Sequence, residues 1–204
     1  MGFYSRVILP RLLDWSLSDN VYAQYRQELL SEVSGDVLEI GFGTGLNLSY
    51  YPQRIQQIIA IDANPGMNQL ATKRIRNSPI RVDHRVINGE NQPMPDGSFD
   101  SVVSTWTLCS IANVERAIQE IYRVLRPGGK FYFIEHGLST EPPVQVWQNR
   151  LTPLQQMIAD GCHLNRNIEQ LVEKQFNAKI EKFYAPDTPK IFGYMYKGVA
   201  TKPA

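Results

Sequence analysis

The sequence has 204 residues, a length that suits a single domain with a substantial core. Its formal net charge of +1 offers no broad electrostatic field for nucleic acid, so we expect no nucleic-acid partner. We also expect a cytoplasmic protein, because no stretch is apolar enough to span a bilayer, residues 1–10 lack the apolar core of a signal peptide, and the two cysteines form no CxxC pair.

The predicted elements begin with helices and continue as strands that alternate with helices. Residues 1–34 have helical periodicity, with Ser18 as the cap of a segment that continues to Val33. Asn64 and Asn113 are predicted caps of later helices, and a short helix is expected after the first strand. Strands are predicted, in chain order, at residues 37–40, 58–61, 80–87, 101–105 and 130–136. This alternation favours a parallel sheet with helices on both faces.

The last third of the chain departs from this alternation. Helices at residues 142–158 and 168–176 precede two strands, at residues 178–184 and 192–201. The turn between these strands is too short for a helical crossover, so they should pair antiparallel. The sequence therefore predicts an α/β fold with one seven-stranded sheet, mostly parallel with one antiparallel strand, in a single domain over residues 1–204.

A glycine-rich turn follows the first predicted strand and is the strongest local signal. Gly41, Gly43 and Gly45 let the backbone take positive φ and let a ligand approach without Cβ atoms in the way. The dinucleotide fingerprint needs glycine at its sixth position, where this chain has Leu46, which disfavours a nicotinamide-dependent oxidoreductase. The acidic Glu39 before the loop suits a ligand that carries an ammonium group better than one that carries pyrophosphate.

The next strand ends at Asp62, about twenty residues after the loop, where a carboxylate can accept hydrogen bonds from ribose hydroxyls. With this residue, the segment 39–45 resembles the first motif of class I S-adenosylmethionine (SAM)-dependent methyltransferases. The resemblance covers most of the chain and implies a Rossmann-like methyltransferase sheet, SAM as cofactor and S-adenosylhomocysteine as product. The cofactor-binding residues that it implies are Glu39, Gly41, Gly43, Gly45, Asp62, Ala63, Met67, Asn88, Gly89, Glu90 and Thr105.

A narrower resemblance concerns residues 104–110, 131–136 and 160–166. These segments are similar to the methyltransferase-like group whose animal members are alkyl-thiol S-methyltransferases. The resemblance implies a small-molecule acceptor and points to a thiol. Two alternatives stay open: a lipid, quinone or amine acceptor at a membrane surface, and a SAM-binding module without catalysis. Peripheral membrane contact is the less favoured reading.

The resemblance also divides the predicted domain into three parts. Residues 1–34 would form a helical lid, residues 35–136 the SAM-binding core, and residues 137–204 the acceptor-side helices and last strands. Acceptor-side residues should follow the fourth and fifth strands at their carboxyl ends. Those residues are Thr105, Trp106, Cys109, Glu135 and His136.

The predicted catalytic residues are His136, whose ordinary pKa is near neutrality, followed by Asp160 and His163. The alternative for His136 is a hydrogen bond to backbone, and for Asp160 it is a structural ion pair with Arg166. A thiol acceptor needs little more than conversion to thiolate, so a conspicuous catalytic dyad is not required. No metal is predicted, because Cys109, Cys162, His136 and His163 match no compact ligand spacing.

Overall fold

Seven strands alternate with helices along residues 3–203, the part of the chain that this computed structural model describes, the side chains of residues 68 and 69 excepted. Met1, Gly2 and Ala204, at the ends of the predicted domain, lie outside the described residues. The strands are β1 (Val37–Ile40), β2 (Gln57–Asp62), β3 (Arg81–Val86), β4 (Phe99–Thr105), β5 (Leu125–His136), β6 (Asn177–Tyr184) and β7 (Tyr194–Thr201). The helices are α1 (Leu9–Leu17), α2 (Asn20–Leu30), α3 (Asn68–Asn77), α4 (Val114–Val124), α5 (Pro142–Ile158), α6 (Ile168–Glu173) and α7 (Lys190–Gly193).

The strands form one mixed sheet with the order β3-β2-β1-β4-β5-β7-β6. The first five strands are parallel, and β7 runs antiparallel to both β5 and β6. This arrangement confirms the predicted fold class. The chain builds outward from β1 in one direction with β2 and β3, and in the other with β4 and β5. Such a switch point opens a crevice at the carboxyl ends of the strands, where α/β sheets bind their ligands.

Helices pack on both faces of the sheet, as predicted. Side chains alternate along a strand, so neighbouring residues such as Phe131 and Tyr132 enter cores on opposite faces. One core receives Ile118 and Ile121 from α4 and Val172 from α6. The core on the other face receives its helical residues from α2 and α3, namely Leu29, Leu30 and Ala71. The rigid sheet therefore fixes where the strand ends lie.

The boundaries of the second helix differ from the prediction. The cap of α2 is Asp19, whose carboxylate accepts a hydrogen bond from the N–H of Val21. Ser18, the predicted cap, still has helical backbone angles and belongs to the end of α1. The helix also ends at Leu30 instead of continuing to Val33.

Further boundaries also differ: the helix predicted at residues 168–176 ends at Glu173, and the strand predicted at residues 192–201 begins at Tyr194, because α7 occupies Lys190–Gly193. The segment after the glycines is a single 3-10 turn, Leu46–Ser49, and Asn64 caps another such turn, Pro65–Met67, before α3 begins. The fifth strand begins at Leu125, since the backbone becomes extended there directly after α4.

Among the helices of residues 3–203, none combines the length and apolar character that crossing a bilayer requires.

Candidate active site

A cavity of about 450 Å³ lies at the carboxyl ends of β1, β2, β4 and β5, where the strand order reverses. Its walls come from the residues that follow these strands, from the N-terminal helices, and from the end of α5 with the turn after it. The topology thus brings segments that are distant in sequence to one opening. The cavity is the natural place for a ligand in a sheet of this kind.

The loop after β1, residues 41–45, is called the glycine loop below. Gly41, Gly43 and Gly45 all have positive φ, at +73°, +56° and +80°. A Cβ on Gly41 would lie 1.9 Å from Oγ1 of Thr107, so the loop passes the β4 end at a distance that only glycine permits. A Cβ on Gly43 would extend into open space, since its nearest neighbour atom would be 3.9 Å away. Gly43 lines the cavity, so a bound molecule can approach its backbone directly.

Asp62 joins the glycine loop to the end of β2. One carboxylate oxygen accepts a hydrogen bond of 2.7 Å from the N–H of Gly43, and the other accepts one of 2.7 Å from the N–H of Asn64. Burial raises the pKa of Asp62, and the two backbone hydrogen bonds oppose that rise. The residue also lines the cavity, so it both shapes the loop and presents a carboxylate to a ligand.

The cavity gathers most of the residues that sequence reasoning assigned to the cofactor. Those that line it are Gly41, Gly43, Asp62, Ala63, Met67, Asn88, Gly89, Glu90 and Thr105. Gly45 does not line the cavity, and it precedes the 3-10 turn Leu46–Ser49 as its cap. Glu39 does not line the cavity either.

Glu39 is fully buried beneath the glycine loop. Its carboxylate accepts hydrogen bonds from Nδ2 of Asn47 at 2.9 Å and from the hydroxyl of Tyr51 at 2.7 Å. Burial raises its pKa to about 7. Asn47 lines the cavity and also donates to Oγ1 of Thr105 at 3.0 Å. Glu39 therefore touches the cavity through Asn47, and direct contact with the cofactor stays a prediction.

Sequence reasoning missed Arg26, which α2 carries into the wall of the cavity. The side chain is buried, donates from Nε to Oδ1 of Asn47 at 3.0 Å, and lies 4.7 Å from the ring centre of Trp106. Burial lowers its pKa to about 10, which leaves it charged at neutral pH. Trp106 has a φ of +50°, and its buried indole N–H has no hydrogen-bond partner within residues 3–203. No local motif indicates Arg26, because its partners come from other segments.

The N-terminal segment, residues 3–18, lies over the same cavity. Asp14 lines it, accepts a hydrogen bond of 2.5 Å from Oγ1 of Thr44, and forms an ion pair of 2.7 Å with Arg74. Ser5 donates to the carboxylate of Asp160 at 2.8 Å. The segment is thereby fastened to the glycine loop on one side and to the turn after α5 on the other. Its role as a lid stays a prediction.

A cluster of Cys109, His136 and Cys162 forms another part of the wall, and we call it the Cys–His–Cys cluster. Nε2 of His136 lies 2.7 Å from Sγ of Cys162, and the two sulfurs are 3.6 Å apart. The hydrogen bond from Cys162 lowers the pKa of the Cys109 thiol, and burial opposes it. All three residues line the cavity. The sequence had placed Cys109 and His136 there from their strand ends, whereas Cys162 arrives from the turn after α5.

Glu135 holds the loop that carries Cys109. One of its carboxylate oxygens accepts the N–H groups of Thr107 and Leu108, each at 2.9 Å, and the other accepts that of Cys109 at 3.4 Å. Burial raises the pKa of Glu135 to about 8. Although the sequence assigned Glu135 to the acceptor side, it acts on the cavity by fixing this loop.

The other predicted catalytic residues lie apart from one another. Asp160 lines the cavity, but its carboxylate accepts from Ser5 and from Nδ2 of Asn64 at 3.1 Å. Arg166 donates to the carbonyl of Leu108, so the alternative of an Asp160–Arg166 ion pair does not describe this structure. His163 lies outside the lining set, and its backbone N–H donates to the carbonyl of Cys109 at 2.9 Å.

Comparison with known proteins agrees with this geometry. Residues 38–133 match the family described as "Methyltransferase domain". The human thiol S-methyltransferase TMT1A is 38% identical over 173 residues, which cover 79% of this chain and 70% of that protein. Thiol S-methyltransferase TMT1B of Rattus norvegicus is 34% identical over 175 residues, with 79% and 70% covered. The solved N-methyltransferase NodS from Bradyrhizobium japonicum, in complex with S-adenosylhomocysteine, has a TM-score of 0.71 at 16% identity, covering 98% of this chain and 99% of that chain.

The chain therefore belongs to the class I SAM-dependent methyltransferases, and its cofactor is SAM. Within that class it is similar to thiol S-methyltransferases of mammals at 34–38% identity. The residues that line the cavity fit this cofactor: the open space at Gly43 leaves room for it beside the backbone, and Asp62 offers a carboxylate next to that space.

Proposed function

We propose that the chain transfers the methyl group of SAM to the sulfur of a small thiol. The observation that carries this proposal is a single cavity whose walls include both the glycine loop with Asp62 and the Cys–His–Cys cluster. One wall suits the cofactor, and the other offers sulfur and imidazole groups to an acceptor. The names of the relatives at 34–38% identity support a thiol as that acceptor.

On the cofactor side, we propose that Asp62 accepts hydrogen bonds from the ribose hydroxyls and that the backbone of the glycine loop receives the methionine carboxylate. Met67 would pack on the adenine, with Asn88, Gly89 and Glu90 at its edge. The positions of Met67 and Asn88 support these roles, because both residues line the cavity beside Ala63, after the ends of β2 and β3. Thr105 and Asn47, joined by a hydrogen bond, would fix the methionine end.

SAM supplies a methyl group on a positively charged sulfur when it is bound. The task of this chain's residues is to align an acceptor with that methyl group and to exclude water. Trp106, Cys109 and His136 line the acceptor side of the cavity, and the N-terminal segment covers it. Among the predicted catalytic residues, we keep His136 as the group that meets the acceptor. Asp160 and His163 support it by positioning the turn that carries Cys162.

The test is an acceptor panel with SAM, read out by release of S-adenosylhomocysteine. The panel pairs each alkyl thiol with the alcohol and the primary amine of the same carbon chain. We expect turnover with the thiols and at least about tenfold less with the matched alcohols and amines, since a thiol ionises near pH 8.5 and the alcohol does not. The proposal would be contradicted if a matched amine were turned over as fast as its thiol. It would also be contradicted if none of the thiols gave turnover above the blank.

A second candidate function is methylation of a lipid, quinone or amine acceptor at a membrane surface. It is favoured by apolar side chains that are exposed beside the cavity mouth: Trp15 and Met157 are each 80% exposed. Trp15 lies on α1 and Met157 on α5, and the π-helical segment before α1, Tyr4–Ile8, is bonded to the end of α5 by a hydrogen bond of 2.8 Å from the Tyr4 hydroxyl to the carbonyl of Ile158. Exposed apolar side chains that cluster on one surface mark protein or membrane interaction sites.

Liposomes decide between the two candidates. If the acceptor is membrane-borne, turnover requires vesicles, and Trp15→Ser with Met157→Ser lowers vesicle binding. If the acceptor is a free thiol, turnover proceeds without vesicles and survives this double substitution. We also propose a cytoplasmic location, which suits the free thiols Cys109 and Cys162 because a reducing compartment preserves them.

A further inference from the structure

Three side chains of metal-ligating type meet at the acceptor wall from three separate segments. Cys109 comes from the loop after β4, His136 is the last residue of β5, and Cys162 lies in the turn between α5 and α6. Their ligand atoms all lie within 4.8 Å of one another. The sequence predicted no metal because these residues have no compact spacing along the chain. Compact spacing is not required when the fold itself brings the ligands together.

The sulfur–sulfur distance in the cluster is close to that of a tetrahedral zinc site. Zinc bonds of about 2.3 Å to sulfur place two thiolate ligands roughly 3.8 Å apart. The sulfurs of Cys109 and Cys162 are 3.6 Å apart. The 2.7 Å between Nε2 of His136 and Sγ of Cys162 would lengthen to about 3.5 Å around the metal.

The surroundings hold the ligands in place. Glu135 fixes the Cys109 loop through backbone N–H groups, and the backbone N–H of His163 donates to the carbonyl of Cys109 at 2.9 Å. Gly161, with a φ of +87°, makes the turn that directs Cys162 toward the other two. Two thiolates and a neutral imidazole make a neutral centre with Zn²⁺, which a buried site tolerates better than uncompensated charge. Supported ligands of this kind are the usual setting of a metal site.

We propose that Cys109, His136 and Cys162 bind Zn²⁺ and leave its fourth position open to the cavity, where the acceptor thiol binds as a thiolate. Three protein ligands with one open position are the pattern of catalytic zinc, and the soft Cys₂His set favours a sulfur ligand. This inference rests on the proposed function, and it specifies the acceptor as a thiol small enough to reach the metal. His136 then acts as a ligand and not as a base.

The chemistry balances without any further reagent. The acceptor R–SH releases its proton to solvent as its sulfur binds the metal. An electron pair of that sulfur forms the new bond to the methyl carbon, and the bond from this carbon to the sulfonium sulfur breaks, leaving its pair on that sulfur. The products are a thioether, S-adenosylhomocysteine and the released proton. A neutral thioether is a weak zinc ligand, so the product can leave the site.

The first experiment measures metal content. The full chain is purified with a tag that contains no histidine and without chelators, and its zinc is measured by inductively coupled plasma mass spectrometry. We expect about one zinc per chain in the wild type and at least a tenfold loss in Cys109→Ser and Cys162→Ser. His84→Gln, which removes a histidine outside the cluster, is the matched control and should keep its zinc. Circular dichroism and SAM affinity report whether each variant is folded.

The second experiment uses the wild type alone, so that it does not depend on the folding of variants. The metal-free, reduced protein is titrated with Co²⁺, and a tetrahedral thiolate site gives visible ligand-field bands and a sulfur-to-cobalt charge-transfer band. An added alkyl thiol should shift those bands, whereas the matched alcohol should not. Wild type that takes up neither metal, or a Cys109–Cys162 disulfide that forms in the presence of equimolar zinc, overturns the proposal.

Failure of the zinc site and failure of the proposed function give different results. If metal-free protein methylates thiols at the same kcat as zinc-loaded protein, the metal has no part in a reaction that still stands. If cobalt binds and responds to thiols but no S-adenosylhomocysteine is released, the zinc site stands and thiol methylation does not. The expected result is a loss of turnover of about thirtyfold on zinc removal, restored by equimolar zinc, because a thiol with a pKa of about 8.5 is only about 3% ionised at pH 7.

Discussion

The two walls of the cavity are built in different ways. The cofactor wall is centred on two short segments, the glycine loop and the end of β2, in which backbone conformation and one carboxylate, Asp62, define the site. The acceptor wall consists of side chains from three segments that meet only in the folded chain. Each wall has a fully buried glutamate behind it, Glu39 for the first and Glu135 for the second. The difference shows that one wall depends on local geometry and the other on long-range packing.

The largest effect that this comparison predicts concerns the backbone of the glycine loop. Gly41→Ala introduces a Cβ at a φ of +73° and against the side chain of Thr107. Positive φ costs about 1–2 kcal/mol, and overpacking adds about 1–3 kcal/mol. We expect urea unfolding to show a loss of roughly 2–5 kcal/mol, with SAM binding lost or strongly weakened.

Gly128→Ala is the matched control for Gly41→Ala. Gly128 has nearly the same φ, +76°, but its Cβ would meet no atom within 4 Å. Only the cost of about 1–2 kcal/mol for positive φ should remain, and SAM affinity should be unchanged. Equal losses in the two variants would mean that contact with Thr107 does not shape the loop.

The next effect concerns Asp62, whose two oxygens join the loop to the end of β2. Asp62→Ala removes the partner of two backbone N–H groups and the proposed partner of the ribose. Because a hydrogen bond to a charged group is worth about 1.5–3 kcal/mol, we expect SAM to bind roughly 10- to 150-fold more weakly by calorimetry. Asp83→Ala, which removes a carboxylate paired with Arg85 on β3, should leave the affinity as it is. Wild-type affinity in Asp62→Ala would place the ribose elsewhere.

A smaller effect should appear as pH dependence from Glu39. Its folded pKa, raised by burial from 4.5 to about 7, means that the folded chain holds a proton that the unfolded chain has already released. The stability contribution is therefore present below pH 4.5 and is lost as pH rises to about 7. Because the glutamine of Glu39→Gln does not titrate, the variant should become more stable relative to wild type as pH rises through this window. The expected gain is about 1.4 kcal/mol for each unit by which the folded pKa of Glu39 exceeds its unfolded pKa.

The control for Glu39→Gln is an exposed carboxylate. The hydrogen bond from Lys174 lowers the pKa of Glu115 below 4.5, so Glu115→Gln should differ from wild type by a constant amount between pH 4.5 and about 7 and should leave the slope in that window unchanged. The measurement is urea unfolding at several pH values. Parallel curves for Glu39→Gln and wild type between pH 4.5 and 7 would show that Glu39 is ionised throughout.

The features that the sequence predicts also differ between the cofactor wall and the acceptor wall. The strands, their mostly parallel orientation and the antiparallel end were predictable, because periodicity and short connections constrain them directly. The glycine pattern with Leu46 and Asp62 also indicated the cofactor, since each of these residues acts through its local backbone. The cap at Asp19 was missed because serine and aspartate adjoin and both can cap a helix.

The acceptor wall was less predictable for a physical reason. Cys109 and His136 could be placed from strand ends, but Cys162 and Arg26 reach the cavity through the packing of whole helices and turns. Pairings of this kind depend on tertiary distances that no spacing along the chain records. Glu39 and Glu135 were singled out as acidic residues near strand ends, but their hydrogen bonds to Asn47 and Thr107 were visible only in the fold.

The smallest predicted effect tests whether the N-terminal segment acts as a lid. Thr44→Val removes the hydroxyl that donates to Asp14, while Arg74 still pairs with that carboxylate. Because a net hydrogen bond is worth about 0.5–1 kcal/mol, SAM should dissociate roughly two- to fivefold faster in stopped-flow measurements. Thr188→Val, which removes a hydroxyl bonded to the carbonyl of Pro186 in a distant turn, is the control and should leave the rate unchanged. If both variants release SAM at the wild-type rate, the segment covers the cavity without retaining the cofactor, and retention depends on the glycine loop and Asp62 alone.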